Sequence, residues 1–402
     1  MNNLKKLKKF FTILIVSYPV LYIYASPFKA LSIADLLLII IDAFLIFYSI
    51  KNGIKKINKP LLIFIFLSLI QVLFLLLVDY NEYSKIIMST TRILLYVFSL
   101  CFFGESYFDK VLAIKCIKKI AIFASIYLLV QTVFLRLFHI YIPGTIPFMA
   151  EYDQNLTIFE LIMKNNPGYT YRARSIFLEP SHYAIYIALA LMIELMKNGK
   201  KDFFSIIFLS FSMIVSGSST AILMIPICFI ISIIFNQWKI TKKRLFQSLI
   251  AMVFIVIIGG IYFKTDSFMK FYDRTFISGG ATTNRIENYS LVFENSDNNF
   301  ITKFFGHGIY KIEEYIPSVP RIYYYYGLVG FILFLIITIF SLYNTDKLGK
   351  SIILILIVLC FASELLFSHF ILPYFIFIIN SKKGKVNKNE FKQITNYSYS
   401  NV

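Results

Sequence analysis

Charged residues are scarce in this chain of 402 residues, where Asp, Glu, Lys and Arg make up 15%. Ordinary soluble domains carry about 25% charged and about 45–50% apolar residues, whereas this chain is 58% hydrophobic. A single soluble domain cannot bury that much apolar surface, so a soluble enzyme is excluded. The basic residues alternate with long apolar runs and do not gather on one polar face, which excludes a nucleic-acid-binding protein. The composition predicts a multispanning membrane protein.

Cysteine and histidine are equally sparse. The four cysteines form no Cys-x-x-Cys pair and three lie in apolar runs, so they are expected to be small buried hydrophobic residues. This pattern does not support a disulfide framework. The four histidines are far apart and show no metal-ligand spacing, so we expect neither a zinc site nor any other cofactor.

The apolar runs predict an all-α integral membrane protein, a single polytopic domain over residues 1–402 with about twelve transmembrane helices. The predicted spans are 10–25, 31–50, 61–78, 86–103, 120–138, 181–196, 203–215, 219–235, 245–263, 323–342, 351–362 and 365–379. Two long polar loops, 139–180 and 264–322, and a basic tail, 381–402, complete the chain.

Two of these boundaries divide apolar stretches that are too long for one span. Residues 203–235 would form about 50 Å of helix against a hydrocarbon core of about 30 Å. We therefore predict a turn at Ser216, Gly217 and Ser218. For residues 351–379 we predict a hairpin near Ser363 and Glu364.

The distribution of lysine and arginine predicts the orientation. With the N-terminus in the cytoplasm, the cytoplasmic segments hold 26 Lys and Arg, and the outer segments, though much longer, hold 12. By the positive-inside rule, both termini are cytoplasmic and both long loops face outward. Five of the eight arginines lie outside: Arg172, Arg174, Arg274, Arg285 and Arg321. Arginine grips phosphate or carboxylate bidentately, so these residues are candidate anion ligands; the alternative is ordinary salt bridges within the loops.

The first arginine context ends the first outer loop. Arg172 and Arg174 are followed by Glu179, Pro180, Ser181 and His182 at the start of a span. Pro180 suits a first helical turn, and Glu179 or Ser181 can cap the exposed amides. Two arginines, a carboxylate and an imidazole beside a helix N-terminus form a reasonable anion cradle. The alternative is a plain helix cap with an arginine reaching to the membrane surface.

The second context lies in the large outer loop, with Arg274, Arg285 and the Gly306-His307-Gly308 motif. Its glycines permit close backbone approach to a ligand, although an ordinary turn explains an isolated motif equally well. Arg321 and the tyrosines at 323–326 then enter the next span. Clustered tyrosines are typical interfacial anchors, and they can also stack against sugar rings.

Five charged residues are predicted to lie inside spans: Asp35, Asp42, Arg92, Glu194 and Glu364. Each costs roughly 2.5–3.5 kcal/mol at mid-membrane, so partners are expected. Asp35 and Arg92 both lie near the outer ends of their spans and are predicted to pair. The pair either stabilises the fold or lines a path for a lipid-linked substrate.

Taken in order, these motifs resemble those of the Wzy-type polysaccharide polymerases in the O-antigen polymerase and ligase superfamily. The first matching segment reads Arg174-Ser-Ile-Phe-Leu-Glu179-Pro180-Ser181, and a Ser-rich turn follows at 216–220. Asn284-Arg285, Gly306-His307-Gly308 and the Gly-x-x-Gly of Gly327 and Gly330 match the later motifs. Ligase members carry a His-Asn-like motif where this chain has Ile316, which favours a polymerase.

The resemblance implies a GT-C-like architecture in the bacterial inner membrane and an inverting, metal-independent glycosyl transfer. The implied substrates are undecaprenyl-diphosphate-linked repeat units, and a chain-length regulator is an implied partner. Arg174 and Arg285 would bind the diphosphate, with Arg172 or Arg274 in support. Glu179 would be the base or orienting carboxylate, and His182 and His307 are weaker candidates; Arg321 is a further candidate for substrate binding.

A flippase for lipid-linked oligosaccharides is the rival interpretation from another functional class. Flippases also tend to have twelve spans and a basic composition, but they place charges within the helical bundle and usually lack long outer loops. The outer arginines of this chain favour an enzyme.

Overall fold

The structure is a computed structural model that describes residues 2–28, 31–53, 56–78, 83–146, 148–152, 173–197, 201–236, 300–308 and 316–382. Within these residues the protein is helical and has no β-strands, only three isolated bridges. The helices are α1 (Asn2–Leu21), α2 (Ile33–Asn52), α3 (Lys59–Val78), α4 (Tyr83–Phe103), α5 (Lys110–Phe138), α6 (Pro180–Leu195), α7 (Phe203–Val215), α8 (Ser219–Asn236), α9 (Phe300–Phe305), α10 (Ser318–Asn344), α11 (Lys347–Ala362) and α12 (Ile371–Ile379). A short 3-10 helix, Leu365–Phe367, precedes α12.

The core of the bundle surrounds α6. Every residue from Tyr183 to Leu195 is buried, because α5, α7, α8 and α11 all pack against this helix. Three hydroxyl groups join its neighbours: Tyr183 lies 2.9 Å from Ser125 of α5 and donates to Ser212 of α7 at 2.6 Å, and Ser212 donates to Ser125 at 3.0 Å. These mutual hydrogen bonds satisfy polar groups that would be costly inside an apolar bundle.

Large apolar side chains face outward around the bundle. Phe47 of α2, Phe66 of α3, Ile234 of α8 and Ile339 of α10 are all more than half exposed. An apolar exterior of this extent is unfavourable in water and suits a lipid environment. Among the described residues three helices are long and apolar enough to cross a membrane (α2, α5 and α10), and several apolar helices are shorter. The chain is a helical, membrane-embedded protein.

Most predicted helix positions within the described residues are confirmed, and so are both predicted turns. Helix α7 ends at Val215 and α8 begins at Ser219, with Gly217 in the left-handed region at φ 61°. Helix α11 ends at Ala362, and the backbone turns at Ser363 and Glu364. The predicted span 245–263 lies outside the described residues.

Two expectations about the spans are wrong. The lysines assigned to a loop before residue 120 are helical, because Asp109 caps α5 by accepting hydrogen bonds from the amides of Val111 and Leu112, both at 3.1 Å. The region 365–379 is not one continuous helix. Helix α12 has nine residues, about 14 Å of helix, which is less than half the hydrocarbon thickness.

Candidate functional site

The ion pairs of the bundle separate by residue type. Arginine pairs gather at one end, the arginine end: Arg92 with Asp35, Arg174 with Glu151, and Arg321 with Glu364. Lysine pairs gather at the other, the lysine end: Lys110 with Asp346, Lys118 with Glu194 and Asp202, and Lys382 with Glu105. Arginine is therefore placed where the sequence predicts the outer face.

The predicted pairing of Asp35 with Arg92 is confirmed, at 3.7 Å between Asp35 Oδ2 and Arg92 Nε. Asp35 is fully buried and also accepts hydrogen bonds from the hydroxyls of Tyr18 at 2.5 Å and Tyr96 at 3.0 Å. With Ser32 it forms a capping box at the start of α2. Because its oxygens already have several donors, Asp35 is a fixed anchor that holds Arg92 in place.

Arg92 extends from Asp35 to lie beside two tyrosine rings that contact each other, Tyr22 and Tyr152. Its guanidinium donates to the hydroxyl groups of Tyr22, at 3.4 Å, and of Tyr152. The guanidinium carbon lies 6.0 Å from the Tyr22 ring centroid and 5.3 Å from that of Tyr152, within the range of cation–π attraction. The Arg92 side chain remains 33% exposed, so it is the most accessible of the three paired arginines.

Two histidines continue the cluster from Tyr22. His369, which is only 4% exposed, stacks on Tyr22 with ring centroids 4.1 Å apart. The His182 ring lies edge-on to the His369 ring, with centroids 5.5 Å apart. Within the described part of the chain, the buried atoms His182 Nδ1 and His369 Nε2 have no hydrogen-bond partner. Buried polar atoms are nearly always paired in folded proteins, so these two nitrogens mark a place where a water molecule or a substrate hydroxyl would be favourable.

Glu179 lies at the solvent-exposed edge of this cluster, and we call that edge the opening. It is exposed, it occupies the N-cap position of α6, and Pro180 begins the helix as predicted. The expected capping is wrong: the Glu179 side chain makes no capping hydrogen bond, and Ser181 Oγ instead donates to Glu179 Oε2 at 2.8 Å. Glu179 is therefore an accessible carboxylate beside His182, with its charge not committed to the helix amides.

Arg321 and Glu364 form a bidentate pair on the same side. Arg321 donates to the two Glu364 oxygens at 2.8 and 2.5 Å. Glu364 lies in the turn after α11, so the predicted hairpin is confirmed there, and the separate expectation that its charge lies inside a span is wrong. Burial raises the pKa of Glu364, the Arg321 charge opposes this shift, and the negative charge of Glu179 adds to it. Glu179 and Glu364 are therefore close enough for their charges to interact.

Arg174 is more deeply buried than Arg92. It is 4% exposed, donates to the Leu178 carbonyl at 3.2 Å and pairs with Glu151 Oε1 at 3.4 Å. The next residue, Ser175, has a left-handed backbone at φ 56°, which is rare for a residue with a side chain. Gln131 of α5 holds this strained backbone by accepting from the Ser175 amide at 2.8 Å and donating to its carbonyl at 3.3 Å.

The Gly306-His307-Gly308 motif packs against the kink in α10. A Cβ atom on Gly306 would lie 2.3 Å from the Tyr325 carbonyl oxygen, and one on Gly327 would lie 2.4 Å from the Phe304 backbone. The close backbone approach is therefore to another segment of the chain. His307 is 7% exposed and stacks on Tyr324 at 4.5 Å.

Two related expectations are corrected by this packing. The span was predicted over 323–342 without interruption, but α10 begins at Ser318 and Gly327 forms a kink within it, at φ 63° and ψ −163°. Tyr324, Tyr325 and Tyr326 are at most 8% exposed, so they pack inside the bundle and neither anchor at the interface nor stack on a sugar.

Of the predicted site residues, the structure places Glu179 near His182 and near the pair of Arg321 and Glu364. His182 connects to Arg92 through His369 and Tyr22. Arg174 is buried, and His307 lies beside Tyr324. Arg172, Arg274 and Arg285 lie outside the described residues. Sequence reasoning missed Tyr22, Tyr152, Glu151 and His369 as members of the cluster. Tyr22 and His369 are separated by most of the chain, and no short-range pattern links them. No known protein-family model and no curated protein sequence matches this chain.

Proposed function

We propose that this protein is a membrane glycosyltransferase that polymerises lipid-linked oligosaccharide repeat units, with its active site at the arginine end. The observation that carries the proposal is the convergence of arginines, an exposed carboxylate, two histidines and tyrosines at one end of a largely apolar bundle, whereas the ion pairs at the other end use lysine. The motif order described above supports the same reaction class.

The proposed reaction transfers a glycan from undecaprenyl diphosphate to the terminal sugar of a second lipid-linked unit. The acceptor hydroxyl oxygen attacks the anomeric carbon of the donor sugar, and the bond from that carbon to the diphosphate oxygen breaks with its electron pair. Undecaprenyl diphosphate leaves as an anion, and the acceptor proton passes to a base. The reaction therefore needs positive groups for the leaving diphosphate and a carboxylate near the acceptor hydroxyl.

The chain offers both kinds of group. We assign the acceptor proton to Glu179, because it is an exposed carboxylate at the opening. Arg92 is accessible and rigidly positioned, so it is proposed as a diphosphate ligand together with Arg285, supported by Arg172 or Arg274. Arg174, proposed from the motif for the same task, would need to exchange its contact with Glu151 before it could contact a diphosphate.

The unpartnered nitrogens of His182 and His369 extend this assignment. A sugar carries several hydroxyl groups, each able to donate and accept. The imidazole nitrogens of His182, which lies beside Glu179, and of His369, which lies against His182, would fix the orientation of one of them. His182 and His369 are therefore proposed as positioning residues for the acceptor sugar.

A deletion strain tests the proposal against transport. Loss of a polymerase leaves single repeat units displayed on their outer acceptor, because export and ligation continue. Loss of a flippase traps the repeat units on the cytoplasmic leaflet, and loss of a ligase leaves long polymer on its lipid carrier. Single displayed units, restored to polymer by the wild-type chain, support the polymerase; either of the other two outcomes would overturn it.

A further inference from the structure

A groove runs along the bundle between α3, α4, α10, α11 and α12. It encloses about 400 Å³ and extends from Lys59 and Lys382 at the lysine end to Ile322 and Leu366, next to the pair of Arg321 and Glu364. Its length follows the helix axes, so it spans much of the bundle from one end to the other. None of the residues assigned to glycan transfer lines it.

The polar lining of this groove is confined to one half. Asn58, Lys59, Ser341, Asn344, Thr345 and Lys382 lie at the lysine end, and Thr338 lies about one helical turn further along α10. Beyond Thr338 the wall is apolar, apart from Tyr326, whose hydroxyl is engaged by Ser68 at 3.4 Å. A groove that is polar and basic at one end and apolar along its length matches an amphiphile with a single orientation.

We propose that the groove binds an anionic phospholipid, with its phosphate beside Lys59 and one acyl chain along the apolar wall. Lys59 is exposed at the groove mouth, where a phosphate can approach it, and Lys382 adds a second positive charge although it is paired with Glu105. Asn58, Ser341 and Asn344 supply hydrogen-bonding groups for the glycerol and ester oxygens.

The opposite orientation, a polyprenyl diphosphate with its head at the arginine end, is less favourable. At that mouth the lining residues Ile322 and Leu366 are apolar, and the neighbouring Arg321 is already engaged by both oxygens of Glu364. A diphosphate there would have to break a bidentate pair and approach a carboxylate. The charge distribution therefore favours a phospholipid at the lysine end, independently of the proposed function.

Native mass spectrometry of the purified full chain tests this inference. The protein is titrated with equal amounts of phosphatidylglycerol and phosphatidylcholine, and the retained lipid is identified. Thr338→Trp fills the groove, and Ile339→Trp places the same ring on the exposed face of α10 as a matched control. Lys59→Gln removes the charge at the mouth, and Lys56→Gln, exposed nearby but outside the lining, is its control.

We expect the wild type to retain phosphatidylglycerol in preference to phosphatidylcholine. Lys59→Gln should weaken that preference by about fivefold, the effect of one basic residue near an anionic headgroup. Thr338→Trp should remove retention of both lipids, and the two controls should behave as the wild type. If Thr338→Trp fails to fold, the Lys59 comparison decides.

Several results would overturn the inference. Equal retention of the two lipids by the wild type would show that the headgroup charge does not decide binding. Unchanged retention in Thr338→Trp would show that the lipid does not bind in the groove. A co-purifying polyprenyl phosphate that is lost in Arg321→Gln and kept in Lys59→Gln would show the opposite orientation.

Discussion

At the scale of single residues, the arginine end combines anchored cations with an accessible carboxylate. Asp35 and Glu364 each take several hydrogen bonds and fix an arginine, whereas Glu179 is exposed and bonded to a neighbouring hydroxyl. Fixed cations stabilise developing negative charge without reorganisation, and a free carboxylate can accept a proton. The three acids therefore have different tasks although they share one end of the bundle.

Glu179→Gln should reduce the amount of polymer in vivo by at least about 100-fold, the usual loss when a general base is removed. The amide keeps the size and the hydrogen bond from Ser181 but cannot take the proton. The measurement is the polymer ladder on a gel at matched expression. Glu105→Gln, a carboxylate change at the lysine end, is the control. Full polymerisation by Glu179→Gln would remove this residue as the base.

Arg321→Lys should lower polymer formation by about tenfold, because lysine keeps the charge but cannot make both hydrogen bonds to Glu364. Arg136→Lys is the matched control, since Arg136 is exposed in the last turn of α5 and lies outside the cluster. Equal polymer yields from the two variants would show that the bidentate geometry is not needed.

At the scale of the elements, most described helices and both predicted turns follow from the lengths of apolar runs. What the sequence did not predict is how distant segments meet. The kink in α10 exists because Gly306 and Gly327 bring their backbones together, and two glycines separated by about twenty residues carry no signal of that contact. The left-handed backbone of Ser175 was not predictable either, because it is held by a hydrogen bond to Gln131, which lies in α5.

Gly327→Ala should destabilise the protein more than Gly53→Ala does. Both glycines have positive φ, at 63° and 77°, so both alanines are strained. At Gly53 no atom lies within 4 Å of the new Cβ, whereas at Gly327 it meets the Phe304 backbone at 2.4 Å. The extra loss should be about 1–3 kcal/mol, the usual cost of overpacking. Thermal unfolding in detergent measures it, and equal melting temperatures would contradict this account.

At the scale of the whole molecule, the separation of lysine and arginine was predicted from loop composition and appears in the ion pairs. The predicted pairing of Asp35 with Arg92 is also confirmed, since two charges at the same depth of the membrane have a strong reason to meet. The sequence does not predict that His369 and Glu151 lie in the cluster at the arginine end, because each position depends on packing between segments far apart in sequence. The orientation in the membrane stays a prediction.

Cysteine labelling tests that orientation. In a background with the four native cysteines replaced, Phe28→Cys lies exposed at the arginine end and Lys56→Cys lies exposed at the lysine end. A membrane-impermeant maleimide should label the cysteine at 28 in intact cells, and the one at 56 only after permeabilisation. The reverse pattern would invert the topology and move the proposed active site to the cytoplasmic face.

Purified components test whether the arginine end joins two lipid-linked repeat units. The wild-type protein is mixed with one defined undecaprenyl-diphosphate-linked repeat unit, and the products are separated by mass. We expect a dimer of repeat units and one released undecaprenyl diphosphate for each linkage formed, with both products lost in Glu179→Gln. No dimer with the wild type, together with movement of the intact lipid-linked unit across a vesicle membrane, would contradict this expectation.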